Sequence, residues 1–308
     1  MKKIIASLFI VCFLTITGCS GSTHSLTQTT GLAIIAKAIS AMSLAKSYNL
    51  STDLTENYTV FEKNNPQTTT DHWEWKSRRQ IDISNKQMYL SMDIHETPDI
   101  QAYIFQEYLI GGLLYYEQSS PAVGGMTNPW TKTKLNEDNI LWSNYTQAAS
   151  QIELLKTASN IDLVGTDQID GTDCYIIHFN PSAIASTDWV LSQGGFPGPS
   201  VGWWFNTSPR VRQIYIKAFQ NGSVLLWIDK NSNVILRENI SLNFAALPGN
   251  ALSSDTGLGN PDGQGTSLDV GFEKIIRDFS GEWKFSNYNQ PVQIQLPQEA
   301  SEAQNVGN

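Results

Sequence analysis

The chain has 308 residues, with 20 basic side chains against 29 acidic ones and a net charge of −9. That balance excludes a nucleic-acid partner, which would need a basic surface to meet the phosphates, and it argues against attachment to anionic lipid through a polybasic face. Only 16% of residues are charged while 41% are hydrophobic, enough to bury one large core or two small ones.

Lys2 and Lys3 give a short positive start, and residues 4–16 carry no charge. That stretch has the length of a signal-peptide apolar region and falls short of the roughly 20 residues of a transmembrane helix. It runs into Ile16-Thr17-Gly18-Cys19, which resembles a lipobox: an aliphatic residue three before the cysteine and a small one directly before it. Residues 1–18 therefore read as a lipoprotein signal peptide. Cys19 reads as the lipidation site, carrying a diacylglycerol thioether with palmitate-type chains. Two acyl chains anchor stably where one is marginal. The expected location is extracytoplasmic, on the periplasmic side or at the cell surface, held to a membrane by lipid. After cleavage, 18 basic and 29 acidic residues remain, a charge near −11. Cys12 leaves with the signal peptide and Cys19 is acylated, so Cys174 has no intramolecular partner and no disulfide framework forms.

Residues 19–30 are polar and of low complexity, and read as a lipidated flexible tether. Residues 31–47 follow helical spacing through Ile34, Ile35, Ala38, Ile39, Met42 and Ala45. From Tyr48 the period changes to two: Tyr48, Leu50, Thr52, Leu54, Tyr58 and Val60 alternate with polar residues, which predicts a strand with one wet face. A second strand is expected near 71–83. A third over 86–95 has Met88, Leu90, Met92 and Ile94 on one side. Two more strand-like runs lie in 101–117, broken at Gly111-Gly112, and residues 119–130 read as a Gly/Pro-rich loop. Residues 136–158 return to helical spacing. Residues 164–179 read as a hairpin about Asp170-Gly171. Residues 181–209 read as irregular. Three long strands are expected over 211–219, 224–229 and 234–244, with Asn221-Gly222 as the first turn. On the last, Val234, Leu236, Ile240, Leu242 and Phe244 share a face. A Gly/Ser/Asp-rich loop at 248–268, one or two final strands in the stretch ending at Pro297, and a disordered tail at 298–308 complete the chain. Residues 31–297 thus read as one domain, mainly β with some α.

The order of these elements resembles the LolA/LolB-like lipoprotein superfamily, which includes the LppX/LprG-type lipoproteins. The lipobox and polar tether, the helix at 31–47 running into the strand at Tyr48, and the Gly165-to-Tyr175 hairpin are similar to that family. So are Leu226-Trp227-Ile228-Asp229-Lys230 followed by Val234 to Glu238, and the closing Phe285-Ser286-Asn287-Tyr288-Asn289-Gln290-Pro291-Val292. The resemblance implies a single, strongly curved antiparallel half-barrel with helices covering the concave apolar face. It also implies an apolar cavity for acyl chains and a role in carrying lipid or, in one branch, in sensing envelope stress.

No HExxH, nucleophile elbow, phosphate loop or dinucleotide fingerprint appears, so neither cofactor nor metal is expected, and no enzymatic activity. Asp71, His72 and Glu74 beside Trp73 and Trp75 read as strand residues rather than acid–base machinery. Trp203-Trp204 in a loop is the pair most suggestive of sugar stacking. The function expected is binding of a hydrophobic ligand, a lipid or lipidated molecule, in an apolar cavity lined by Met88, Leu90, Met92, Leu236, Ile240, Leu242 and Phe244. The same stripes also read as plain core beneath helices. Two alternatives stand beside this function: an envelope sensor that engages a protein partner, and a cell-surface carbohydrate-binding module or enzyme.

Overall fold

The strand alternation that opens at Tyr48 extends in the computed structural model from Ser47 to Glu62 (β1) and sets the pattern for the rest of the molecule. The structure describes residues 23–62, 68–97, 101–120, 126–134, 148–193, 209–248 and 272–305. β2 (Thr68–Asp82) and β3 (Gln87–Thr97) form a hairpin with β1's inward phase preserved. Its turn is held by Asp82, which accepts from the Asn85 backbone N–H at 3.0 Å and from Asn85 Nδ2 at 2.8 Å. β4 (Gln101–Ile110) and β5 (Leu113–Ser120) meet at Gly111-Gly112, with φ of 60° and 76°, backbone angles that favour glycine. β7 (Ser159–Ile169) and β8 (Thr172–Asn180) join through Asp170-Gly171 at φ 49° and 81°, the type I′ geometry expected of Asp-Gly.

β6 (Met126–Lys134), β9 (Phe219–Asp229), β10 (Ile235–Pro248), β11 (Phe272–Ser286) and the short β12 (Gln304–Asn305) complete one 12-stranded sheet. Its order is β12-β6-β5-β4-β3-β2-β1-β11-β10-β9-β8-β7, and every pairing is antiparallel except β12 with β6. β11 returns beside β1, so the two halves of the chain meet at the middle of the sheet.

Five helices accompany the sheet among the described residues: α1 (Thr23–Ser43), α2 (Ala148–Lys156), α3 (Ala183–Gln193), α4 (Pro209–Ala218) and α5 (Gln298–Ser301). The first four form a layer, α1 on β7, then α2, then α3 on β9, then α4 on β10. The core lies between this layer and the inner face of the sheet. Gly31 lets α1 approach β7, since a Cβ there would sit 2.9 Å from Ile161 Cγ2.

Several expectations change. Helix α1 starts at Thr23, so residues 23–30, read as tether, are helical. No proline interrupts them, and once the buried stretch from Ile34 nucleates a helix, extension upstream costs little. Residues 126–134, partly assigned to a loop, form β6. Within 181–209, residues 183–193 are helical, with the Ser182 hydroxyl accepting the Ala185 N–H at 3.2 Å as an N-terminal cap. Residues 209–218 are α4, where a strand was expected. Pro209 suits the first helical turn, and Tyr215 with Ala218 bury one face while Gln213 and Lys217 stay exposed. Asn221-Gly222 consequently lies inside β9 and makes no turn. Glycine is needed there for room, because a Cβ would come within 2.7 Å of Leu242 Cδ2 and 3.1 Å of Pro181 Cγ. The tail is ordered to Asn305: Ala300 and Ala303 pack on Trp130, with Tyr108, Tyr115 and Leu296 around them. The expected helix at 136–158 is described only as α2. Its residues 136–147, the loop at 249–268, residues 121–125 and Trp203-Trp204 lie outside the described residues.

Candidate functional site

The inner face is laid out by the registers in cross-strand rows. One row runs Phe285, Leu50, Arg79, Leu90, Glu107. The next runs Leu226, Glu238, Trp283, Thr52, Ser77, Met92, Phe105. Met88, Leu90 and Met92 are buried on β3, and Ile240, Leu242 and Phe244 are buried on β10. The two groups are four strand positions apart, about 19 Å at the usual spacing. They therefore line different parts of the face. The β10 group lies under α4, where Tyr215 meets Phe244 edge-on at 5.4 Å. Met88, Leu90, Met92, Ile94, Phe105 and Leu109 form an apolar strip on β3 and β4, away from the strands on which the helices chiefly pack.

Leu236 does not share the face of the other β10 residues. The register shifts between Ile235 and Arg237, so Ile235 is buried in its place and Leu236 is only half-buried. A bulge changes the phase of alternation by one residue, which a strict period-two reading cannot register.

The inner face also carries charge. Glu56, Arg79, Glu107 and Glu238 all occupy inward positions and are buried. Burying a charge is costly unless it is paired or neutralised. Glu56 is paired: Arg277 donates to its carboxylate and to the Tyr215 hydroxyl, with the guanidinium 5.7 Å from the Tyr215 ring and 5.1 Å from that of Phe279. Burial pushes the Tyr215 hydroxyl's pKa up. Arg79 and Glu107 flank Leu90 from the neighbouring strands. Glu238 is neutralised, because burial raises its pKa to about 8, against a smaller lowering by the Gln151 amide of α2. Glu238 Oε2, Trp283 Nε1, Ser186 Oγ and Thr187 Oγ1 are buried without hydrogen-bond partners.

Sequence reasoning missed these side chains, yet the sign was present. The alternation Tyr48, Leu50, Thr52, Leu54 reaches Glu56 at the next even position, and Ile240, Leu242, Phe244 is preceded by Glu238 in the same phase. A charged residue in apolar phase marks either a strand end or a buried polar group.

The outer face is wet. His72 contacts Glu74 at 3.5 Å and Asn57 at 2.9 Å there, both side chains of the His–Glu pair being well exposed. A groove of about 390 Å³ on this face is lined by charges of both signs, including Asp53, Lys76, Arg78, Asp93, Glu282 and Lys284. Cys174 is buried, donates weakly to the Thr172 carbonyl at 3.4 Å, and has its pKa raised by burial, the properties of an inert thiol.

With this geometry established, the chain can be set beside known proteins. No family model and no curated relative matches it. The chain is similar in part to several solved bacterial structures. LppX from Mycobacterium tuberculosis is 14% identical over 87% of this chain and 99% of its own, with a TM-score of 0.41. LprF from Mycobacterium bovis is 11% identical over 87% and 97%, with a TM-score of 0.45. A LolA superfamily protein from Nitrosomonas europaea is 11% identical over 87% and 96%, with a TM-score of 0.20. At these scores the overlap is partial, and the architecture stands on the strand order and registers given above.

Proposed function

We propose that this protein is a membrane-anchored extracytoplasmic lipoprotein that binds a hydrophobic ligand, a lipid or lipidated molecule, against the inner face of its sheet, and serves as a carrier. The observation behind this reading is the apolar strip on β3 and β4. From Met88 to Ile94 it runs about 20 Å, on the scale of an extended acyl chain. Each methylene buried there contributes about 0.8 kcal/mol. A bilayer offers the same, so exchange between membrane and protein is nearly balanced, as a carrier needs.

The start of α1 supports a location at the membrane surface. With Cys19 acylated, only Ser20, Gly21 and Ser22 precede the helix. An extended link of that length spans about 14 Å, which keeps the domain against the bilayer. No described helix is long and apolar enough to cross a membrane.

Metabolic labelling with an alkyne palmitate analogue tests the anchor. Label that appears on the wild type and vanishes in Cys19→Ser supports it, and an unlabelled mature protein contradicts it. Lipid extracted from the purified Cys19→Ser protein tests the carrier reading.

A protein-interaction role has one observation in its favour. β7 is the last strand of the sheet, and Val164 on it is exposed, an edge to which a partner strand can add.

A further inference from the structure

The helix layer meets the sheet at an unusual place. Glu238 on β10 and Trp283 on β11 are cross-strand partners on the inner face. Gln151 of α2 reaches the Glu238 carboxyl. Trp189 of α3 stands edge-on to Trp283 with ring centroids 4.8 Å apart, and Ser186, three residues earlier, shares its helix face. Glu238 and Gln151 are 1% exposed, and Trp283, Ser186 and Thr187 are 0% exposed. Apart from the Gln151 contact to the carboxyl, buried polar atoms of Glu238, Trp283, Ser186 and Thr187 have no hydrogen-bond partner. Such atoms are few in native proteins, and each one asks for an explanation.

We propose that the buried polar place formed by Glu238, Gln151 and Trp283 receives the ester group of a neutral acyl lipid. The inventory of atoms favours an acceptor. The Gln151 amide and Trp283 indole nitrogens only donate, and the Ser186 hydroxyl can. The raised pKa of Glu238 keeps it protonated near neutral pH, so its carboxyl donates as well. An ester supplies two acceptor oxygens and no donor. Leu154 and Leu155, one turn on from Gln151, and Val190, one turn on from Ser186, belong to the same buried apolar core and suit the hydrocarbon attached to it. The ionisable groups facing the place are Tyr288, whose hydroxyl donates to the Ile235 carbonyl at 2.7 Å, and, beyond it, Tyr48. Neither of these is cationic, so among the described residues coupled to Glu238 none offers a phosphate or an ionised fatty acid a counter-charge, whereas an ester needs none.

This assignment rests on the hydrophobic-ligand reading. Native mass spectrometry of the Cys19→Ser protein tests both with three probes: methyl palmitate, palmitic acid and hexadecane. The expected result is retention of methyl palmitate at least about tenfold above hexadecane and palmitic acid, the worth of one good hydrogen bond. Glu238→Leu should abolish that preference, leave hexadecane uptake unchanged and raise the thermal midpoint, since an unpartnered polar group leaves the core. Glu238→Gln keeps the shape and a donor. It should retain the ester preference at all pH values, whereas the wild type should lose it between about pH 6 and about pH 9 as the carboxyl ionises. Unchanged ester preference in Glu238→Leu would mean that these groups hold internal water only, and the assignment fails while the carrier reading stands. Uptake of hexadecane and methyl palmitate to the same extent by the wild type overturns the assignment alone. Uptake of no probe overturns both.

Discussion

Two buried carboxyls on the inner face are made tolerable in opposite ways, and each way predicts its own response to mutation. Glu56 is matched by an ion pair with Arg277. Replacing Arg277 with Met strands that charge in the core, and the cost should be about 3–5 kcal/mol by denaturant unfolding. The double variant Glu56→Leu with Arg277→Met should recover most of the loss, because no charge is then left buried. Glu238 is instead held neutral. Its pKa rises from the usual 4.5 to about 8 on folding, so between those values the native state binds a proton that the unfolded state has released. Its contribution is fully present below pH 4.5, falls as pH rises and is gone above about 8. The slope in that window is about 1.4 kcal/mol per pH unit from this one group. Urea midpoints from about pH 5 to about pH 8 should fall more steeply in wild type than in Glu238→Gln, and parallel curves would contradict the assignment.

At the scale of single elements, close approach decides which glycines can change. A Cβ on Gly281 of β11 would sit 2.7 Å from the Asp53 carbonyl oxygen and 3.0 Å from Leu54 Cα, both backbone of the neighbouring β1. Backbone cannot turn aside, so Gly281→Ala should cost about 2 kcal/mol or more. At Gly222 of β9 the nearest atom is the end of the flexible Leu242 side chain. Gly222→Ala should therefore cost less, and a comparison of the two midpoints checks the ranking. Strands β1 to β5 were legible because their alternation is regular and their turns carry Asp, Asn or Gly in fitting places, whereas β6 was partly read as a loop. The helices α3 and α4 were not legible. Residues 211–218 mix apolar and polar residues in a way that fits either period, and Asn221-Gly222 then attracted a hairpin reading. Only packing against Phe244 and Arg277 selects the helix at Tyr215. The bulge at Leu236 was invisible for a related reason: a one-residue phase slip leaves composition unchanged.

Across the whole molecule, a mainly β fold with one apolar sheet face was readable from periodicity, and so was much of the meander order. The meeting of β11 with β1 was not readable, since register between distant strands is set by the finished sheet. Nor was the ordered C-terminal segment, whose small side chains Ala300 and Ala303 give no hydrophobic signal until Trp130 is beside them. Ending the chain at Pro297 removes that cover from Trp130 and should lower the thermal midpoint by about 2–4 °C for each kcal/mol lost. An unchanged midpoint would show that the segment adds nothing. The division of the inner face into a helix-covered β7–β10 half and an apolar strip on β3 and β4 leads to the carrier reading, and it can be tested in place. The Cys19→Ser protein would be loaded with a methyl palmitate analogue bearing a diazirine near its chain end, irradiated and digested. The account predicts label on peptides carrying Met88 to Ile94 or Phe105 to Leu109. Label found only on the outer face, or on no peptide at all, would contradict it.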